Sequence, residues 1–138
     1  RIEAHQQSRP AGWTTLETTT GLGPQITKHI GGIKTVIVDC ITLLVSNIFQ
    51  ENEWREEPEL LDKAVREEIN GLIASMEASG AHFIIVSNEV GLGIVPADRI
   101  SRIYRDVLGR ANQMLAARCD EVYLLVSGIP MTLKKSGS

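Results

Sequence analysis

The sequence predicts an α/β fold, a mostly parallel sheet with helices on both faces. Residues 35–38, 83–86 and 122–126 form three short runs rich in β-branched side chains. Each is apolar on both alternating faces, as in strands covered on two sides. Long stretches of helical period separate the runs. Where each run ends, polar groups and glycines gather: Asp39-Cys40, Asn88-Glu89-Val90-Gly91 and Ser127-Gly128. Ligands of open α/β sheets bind beyond the carboxyl ends of the strands, so that edge is where chemistry is expected.

The elements follow in order. Residues 1–7 read as the end of a helix, 13–17 as a short strand, and 18–32 as one short helix among glycines. The strand at 35–38 leads into a short helix over 41–49 and a polar loop at 50–57. Over 58–79 the apolar positions Leu61, Val65, Ile69, Leu72 and Met76 form a helical stripe closed by Gly80. After the strand at 83–86, a helix is expected over 97–118. Its stripe is Ile100, Ile103, Val107, Ala111, Met114 and Leu115, with Pro96 at its start. The third strand, 122–126, precedes a tail, 134–138, expected to be mobile. Alternating strands and helices of this kind build right-handed crossovers onto a parallel sheet.

Residues 1–138 are enough for one domain with a core of its own. With 43% apolar and 22% charged residues the composition is globular. A net charge of −3 gives no basic footprint for nucleic acid. The longest apolar stretch, 35–45, is broken by Asp39 and too short to span a bilayer. Two isolated cysteines, Cys40 and Cys119, make neither a disulfide framework nor a metal knuckle, which suits a cytoplasmic protein. The chain opens Arg1-Ile2-Glu3 without methionine, and the polypeptide is expected to continue upstream.

Several residues have chemical potential. Asp39 ends its strand as a magnesium-holding carboxylate does in nucleotide-binding proteins; the commoner use of such an acid is to cap the next helix. The run Gly91-Leu92-Gly93-Ile94-Val95-Pro96 lies between strand and helix, but Pro96 stands where a dinucleotide fingerprint needs a small residue. It reads instead as a flexible loop over the active edge. No G-x-x-x-x-G-K-[ST] phosphate loop occurs. His29 and His82 read as surface residues. His5 precedes Arg9, Trp13 and Glu17; its imidazole is a competent nucleophile toward phosphorus or simply a helix-end side chain. Arg9 can hold phosphate oxygens bidentately, and Glu17 can accept hydrogen bonds from a base or ribose. Arg99, Arg102, Arg105 and Arg110 either face the anionic edge or form a solvated helix face. Trp13 and Trp54 read as packing residues.

Together these segments strongly resemble one family. The carriers are Arg1-Ile2-x-x-His5, Arg9-Pro10-x-x-Trp13-x-Thr15-x-Glu17, Asp39-Cys40-Ile41-Thr42 with Asn47, and the run 87–96. Further on come Arg99, Arg105, Gly109-Arg110-x-Asn112-Gln113, Asp120-Glu121-Val122 and Val126-Ser127-Gly128-Ile129-Pro130. The family is the bifunctional adenosylcobinamide kinase/adenosylcobinamide-phosphate guanylyltransferase of cobalamin biosynthesis.

The resemblance implies a RecA-like P-loop fold, assembled as a homo-oligomer, usually a trimer. It implies phosphorylation of adenosylcobinamide by ATP or GTP, then transfer of GMP from GTP to adenosylcobinamide phosphate through a guanylyl-histidine. His5 matches the nucleophile; Gln6, Gln7, Ser8, Arg9, Glu17 and Asp39 match nucleotide contacts, with Asp39 also the Mg²⁺ ligand. Two departures stand out. Family members usually carry Glu at the position of Asp39, and the first strand with its P-loop lies outside this sequence. Two rival readings are a catalytically incompetent fragment and a generic Rossmann-like module for another small molecule.

Overall fold

The computed structural model describes residues 7–136. Its elements are α1 (Leu22–His29), β1 (Thr35–Asp39), α2 (Ile41–Glu51), α3 (Pro58–Ser79), β2 (His82–Val86), α4 (Arg99–Arg118), β3 (Val122–Val126) and β4 (Ile129–Lys134). The mixed α/β class is as expected.

The long helix α3 is the centre of the helical layer, with α1, α2 and α4 packed against it. Pro58 sits in its first turn, where a missing N–H costs nothing, and Gly80 ends it at a φ of 66°. Its stripe of Leu61, Val65, Ile69 and Leu72 is fully buried or nearly so, alongside Ile41, Phe49 and Leu108 from the neighbouring helices. The contact between α1 and α3 is close enough that a Cβ at Gly23 would collide with the Gly71 carbonyl. Glu68 of α3 caps α1 from outside, its two carboxylate oxygens accepting the Gly21 and Leu22 amides at 3.1 and 2.7 Å. Asp62 joins α3 to α4 by accepting from Arg66 at 2.8 Å and Arg110 at 2.6 Å. Burial pushes the Asp62 carboxyl up, but the two guanidinium donors outweigh it and leave the pKa below its ordinary 3.8.

β1 and β2 pair in parallel, Thr35 opposite His82 and Asp39 opposite Val86. Val36, Val38, Phe83 and Ile85 alternate into the helical core. The intervening Ile37 and Ile84 remain 43% and 44% exposed.

Four expectations need correction. Helices on both faces were expected, but among the described residues they cover one face only. β3 does not extend the parallel sheet; it pairs antiparallel with β4 in a second two-stranded sheet. The hairpin turns at Ser127 and Gly128, with φ of 53° and 75°, the left-handed pair that matches strand twist in a two-residue loop. Part of the expected mobile tail is therefore strand, since β4 runs through Lys134. Residues 13–17 form no strand: they have no ladder partner and lie exposed, Trp13 included.

Smaller differences concern boundaries. α2 extends to Glu51, so the polar loop is shorter than 50–57. α4 starts at Arg99 rather than 97, because Asp98 is its cap and accepts the Ser101 amide at 2.9 Å.

Candidate functional site

At the carboxyl edge of β1 and β2, hydrogen bonds join residues far apart in sequence. Thr42 at the start of α2 donates to Asn88 Oδ1 at 2.6 Å. The Asn88 carbonyl accepts from Asn112 Nδ2 at 3.0 Å, and Asn112 Oδ1 accepts from the Ser87 hydroxyl at 2.6 Å. Tyr104 donates to the Thr42 carbonyl at 2.8 Å while its ring packs edge-on against Phe49. Burial, with the Cys40 thiol nearby, raises the Tyr104 pKa, so the phenol remains a donor throughout the neutral range.

The loop 88–98 is fastened over this edge from α4. Arg105 Nη2 donates to the Gly91 carbonyl at 3.0 Å, and Arg102 Nη1 to the Pro96 and Ala97 carbonyls at 2.9 and 2.7 Å. Glu89 closes the loop on itself by accepting the Gly91 amide at 2.7 Å. The arginines of α4 are thus not a solvated row. Arg110 is committed to Asp62, and Arg99 lies 3.8 Å from Glu56.

Asp39 stands at the same edge, exposed, with its side chain in no hydrogen bond or ion pair among the described residues. Cys40, not Asp39, is the residue at the N-terminus of α2, and no side chain caps that helix. The capping alternative for Asp39 is therefore not realised. A single exposed carboxylate suits a hard cation that keeps most of its waters and takes its other oxygens from a phosphate chain. Among the described residues no three His, Cys, Asp or Glu side chains cluster as an all-protein cage.

The remaining candidates lie on the segment that enters from the amino-terminal side. His5 and Gln6 fall outside the described residues. Gln7, Ser8, Arg9 and Glu17 are all exposed, and Arg9 Nη1 donates to Thr15 Oγ1 at 2.8 Å. The segment is tied down beyond Glu17: the Thr19 carbonyl accepts from Asn47 at 3.0 Å and the Thr20 hydroxyl donates to Glu51 at 2.8 Å. None of Gln7, Ser8, Arg9 or Glu17 contacts Asp39 through a hydrogen bond or ion pair. Sequence reasoning alone did not single out Thr42, Ser87, Asn112 or Tyr104 as site residues. Their signal is three-dimensional: each meets its partner 24 to 62 residues away.

An α/β scaffold with its polar residues at the carboxyl ends of parallel strands defines a domain that takes its ligand at that edge. The comparisons narrow that class. Residues 1–133 match the family model described as CobU, cobinamide kinase/cobinamide phosphate guanyltransferase, and the chain belongs to this family. Among curated relatives, the bifunctional adenosylcobalamin biosynthesis protein CobU of Salmonella typhimurium is 40% identical over 139 positions, and that of Escherichia coli 39%. Each alignment covers 97% of this chain and 77% of the relative. The corresponding protein CobP of Pseudomonas aeruginosa is 36% identical over 134 positions, 97% of this chain and 73% of its own. No described helix is long and apolar enough to cross a membrane.

Proposed function

We propose that this protein transfers GMP from GTP to adenosylcobinamide phosphate through a guanylylated His5, and that with a phosphate-cradling loop it phosphorylates adenosylcobinamide. The observation that carries the proposal is the family match across residues 1–133, a span that contains His5, Arg9, Glu17 and the strand-end Asp39.

The unprotonated nitrogen of His5 attacks the α-phosphorus of GTP. An N–P bond forms, the bond to the β-phosphate oxygen breaks, and pyrophosphate leaves. A phosphate oxygen of the acceptor then attacks the same phosphorus, restoring His5 and giving adenosylcobinamide-GDP. The two steps let pyrophosphate leave before the acceptor phosphate approaches the same phosphorus. Arg9, a planar five-donor fork, suits the phosphate oxygens, and Glu17 suits the N–H and O–H groups of guanine and ribose. Mg²⁺ held at Asp39 would offset the charge of the leaving pyrophosphate.

For the kinase step we infer a RecA-like P-loop architecture in a longer polypeptide. The exposed Ile37, Ile84 and Val86 support it, since an apolar sheet face of this kind calls for a cover. So does the 23–27% of the relatives' length that lies outside the alignments, enough for a strand, phosphate loop and helix.

Incubating the intact polypeptide with α-labelled GTP and Mg²⁺ tests the assignment. The wild type should take up acid-labile label and His5→Ala none. Undiminished labelling of His5→Ala rejects His5 as the carrier.

A further inference from the structure

The Arg105 side chain raises a separate question. One terminal nitrogen, Nη2, fastens the loop through the Gly91 carbonyl. The other, Nη1, is buried and has no hydrogen-bond partner among the described residues. A guanidinium N–H withdrawn from water without an acceptor is costly, and such groups are rare in folded proteins. Its natural complement is an anionic oxygen, which a guanidinium binds by a short, charge-assisted bond. Arg105 lies at the carboxyl edge of the strands: Tyr104, beside it on α4, bonds to Thr42, three residues beyond Asp39.

The loop held by Arg105 has a second property. Leu92 and Ile94 at its tip are 80% and 97% exposed, and Val95 beside them is also exposed. None of residues 92–95 carries a side-chain or loop hydrogen bond among the described residues. The base is fixed by Arg105, while the tip is held neither by hydrogen bonds among the described residues nor by burial. One cationic donor beside a small apolar platform fits a phosphomonoester joined to a bulky, partly apolar body better than it fits a polar nucleoside triphosphate.

We propose that loop 88–96 and Arg105 form the subsite for the phosphorylated acceptor. Arg105 Nη1 donates to a phosphate oxygen, and Leu92, Ile94 and Val95 contact the apolar body. This rests on the transferase reading above.

The test uses intact protein that has first been guanylylated with GTP and freed of excess nucleotide, then mixed with adenosylcobinamide phosphate in single turnovers. Arg105→Gln should raise the half-saturating acceptor concentration about tenfold to a hundredfold, the worth of one charge-assisted hydrogen bond. Labelling by GTP should change less than twofold. Ile94→Ser, at a position with no packing role in the fold, should raise the same constant about threefold and leave thermal unfolding unchanged. Acceptor dependence unmoved in both variants overturns the proposal. So does a loss of GTP labelling in Arg105→Gln equal to its loss of transfer, which would place Arg105 on the nucleotide instead. Wild-type protein that takes up no guanylyl group at all overturns the transferase reading itself.

Discussion

The two faces of the β1–β2 pair are built from the same kinds of residue and live in different surroundings. Towards the helices, Val36, Val38, Phe83 and Ile85 join a core in which Phe49, Leu61, Ile69, Leu72 and Leu108 are entirely buried. On the other side, Ile37, Ile84 and Val86 meet solvent, and the β3–β4 hairpin shows the same exposure at Leu125, Met131 and Leu133. Strand composition therefore records the cover a strand is built for, not the cover that residues 7–136 supply. The helical layer is a finished core; the sheet's other face is an open apolar surface among the described residues.

The largest effect expected from breaking this contrast lies on the finished side. Phe49→Ala removes a ring packed edge-on against both Trp54 and Tyr104 and should cost about 3–5 kcal/mol in denaturant titrations. A loss below about 1 kcal/mol would mean that the helical layer is not the core.

An intermediate effect belongs to Asp62, at the margin of that layer. Asp62→Asn weakens the links to Arg66 and Arg110 and should cost about 1 kcal/mol near neutral pH. Because the folded carboxyl titrates below its ordinary 3.8, its contribution is complete above that value and is lost as pH falls through the lower folded pKa. The asparagine variant should lack this part of the acid sensitivity, which unfolding curves at pH 5 and in the acid range would show.

The smallest effect is expected on the open face. Ile84→Thr should change the stability of residues 1–138 by no more than about 0.5 kcal/mol, because its neighbour there is water. In a longer polypeptide carrying the P-loop unit, the same substitution should cost about 2 kcal/mol. Equal costs in both would show that nothing covers that face.

The sequence revealed elements whose determinants are local. α3 starts and ends where expected because its stripe, Pro58 and Gly80 all lie within one stretch of chain. β1 and β2 were visible for the same reason. The partner of β3 was not, although its determinant is local: Ser127-Gly128 between two apolar runs is a hairpin-turn signal that was read as a strand end. Residues 13–17 have strand-like composition and no partner, and composition alone makes no strand. At the site, Asp39 was legible as the last residue of a strand. The web of Thr42, Ser87, Asn88 and Asn112 was not, because it exists only once β1, β2 and α4 meet.

The most direct measurement is the intact mass of the protein after incubation with GTP and Mg²⁺, followed by peptide mapping. One added guanylyl group per chain is expected, on the peptide that contains His5, and it should be removed when adenosylcobinamide phosphate is supplied. No adduct, or an adduct confined to another residue, would contradict it.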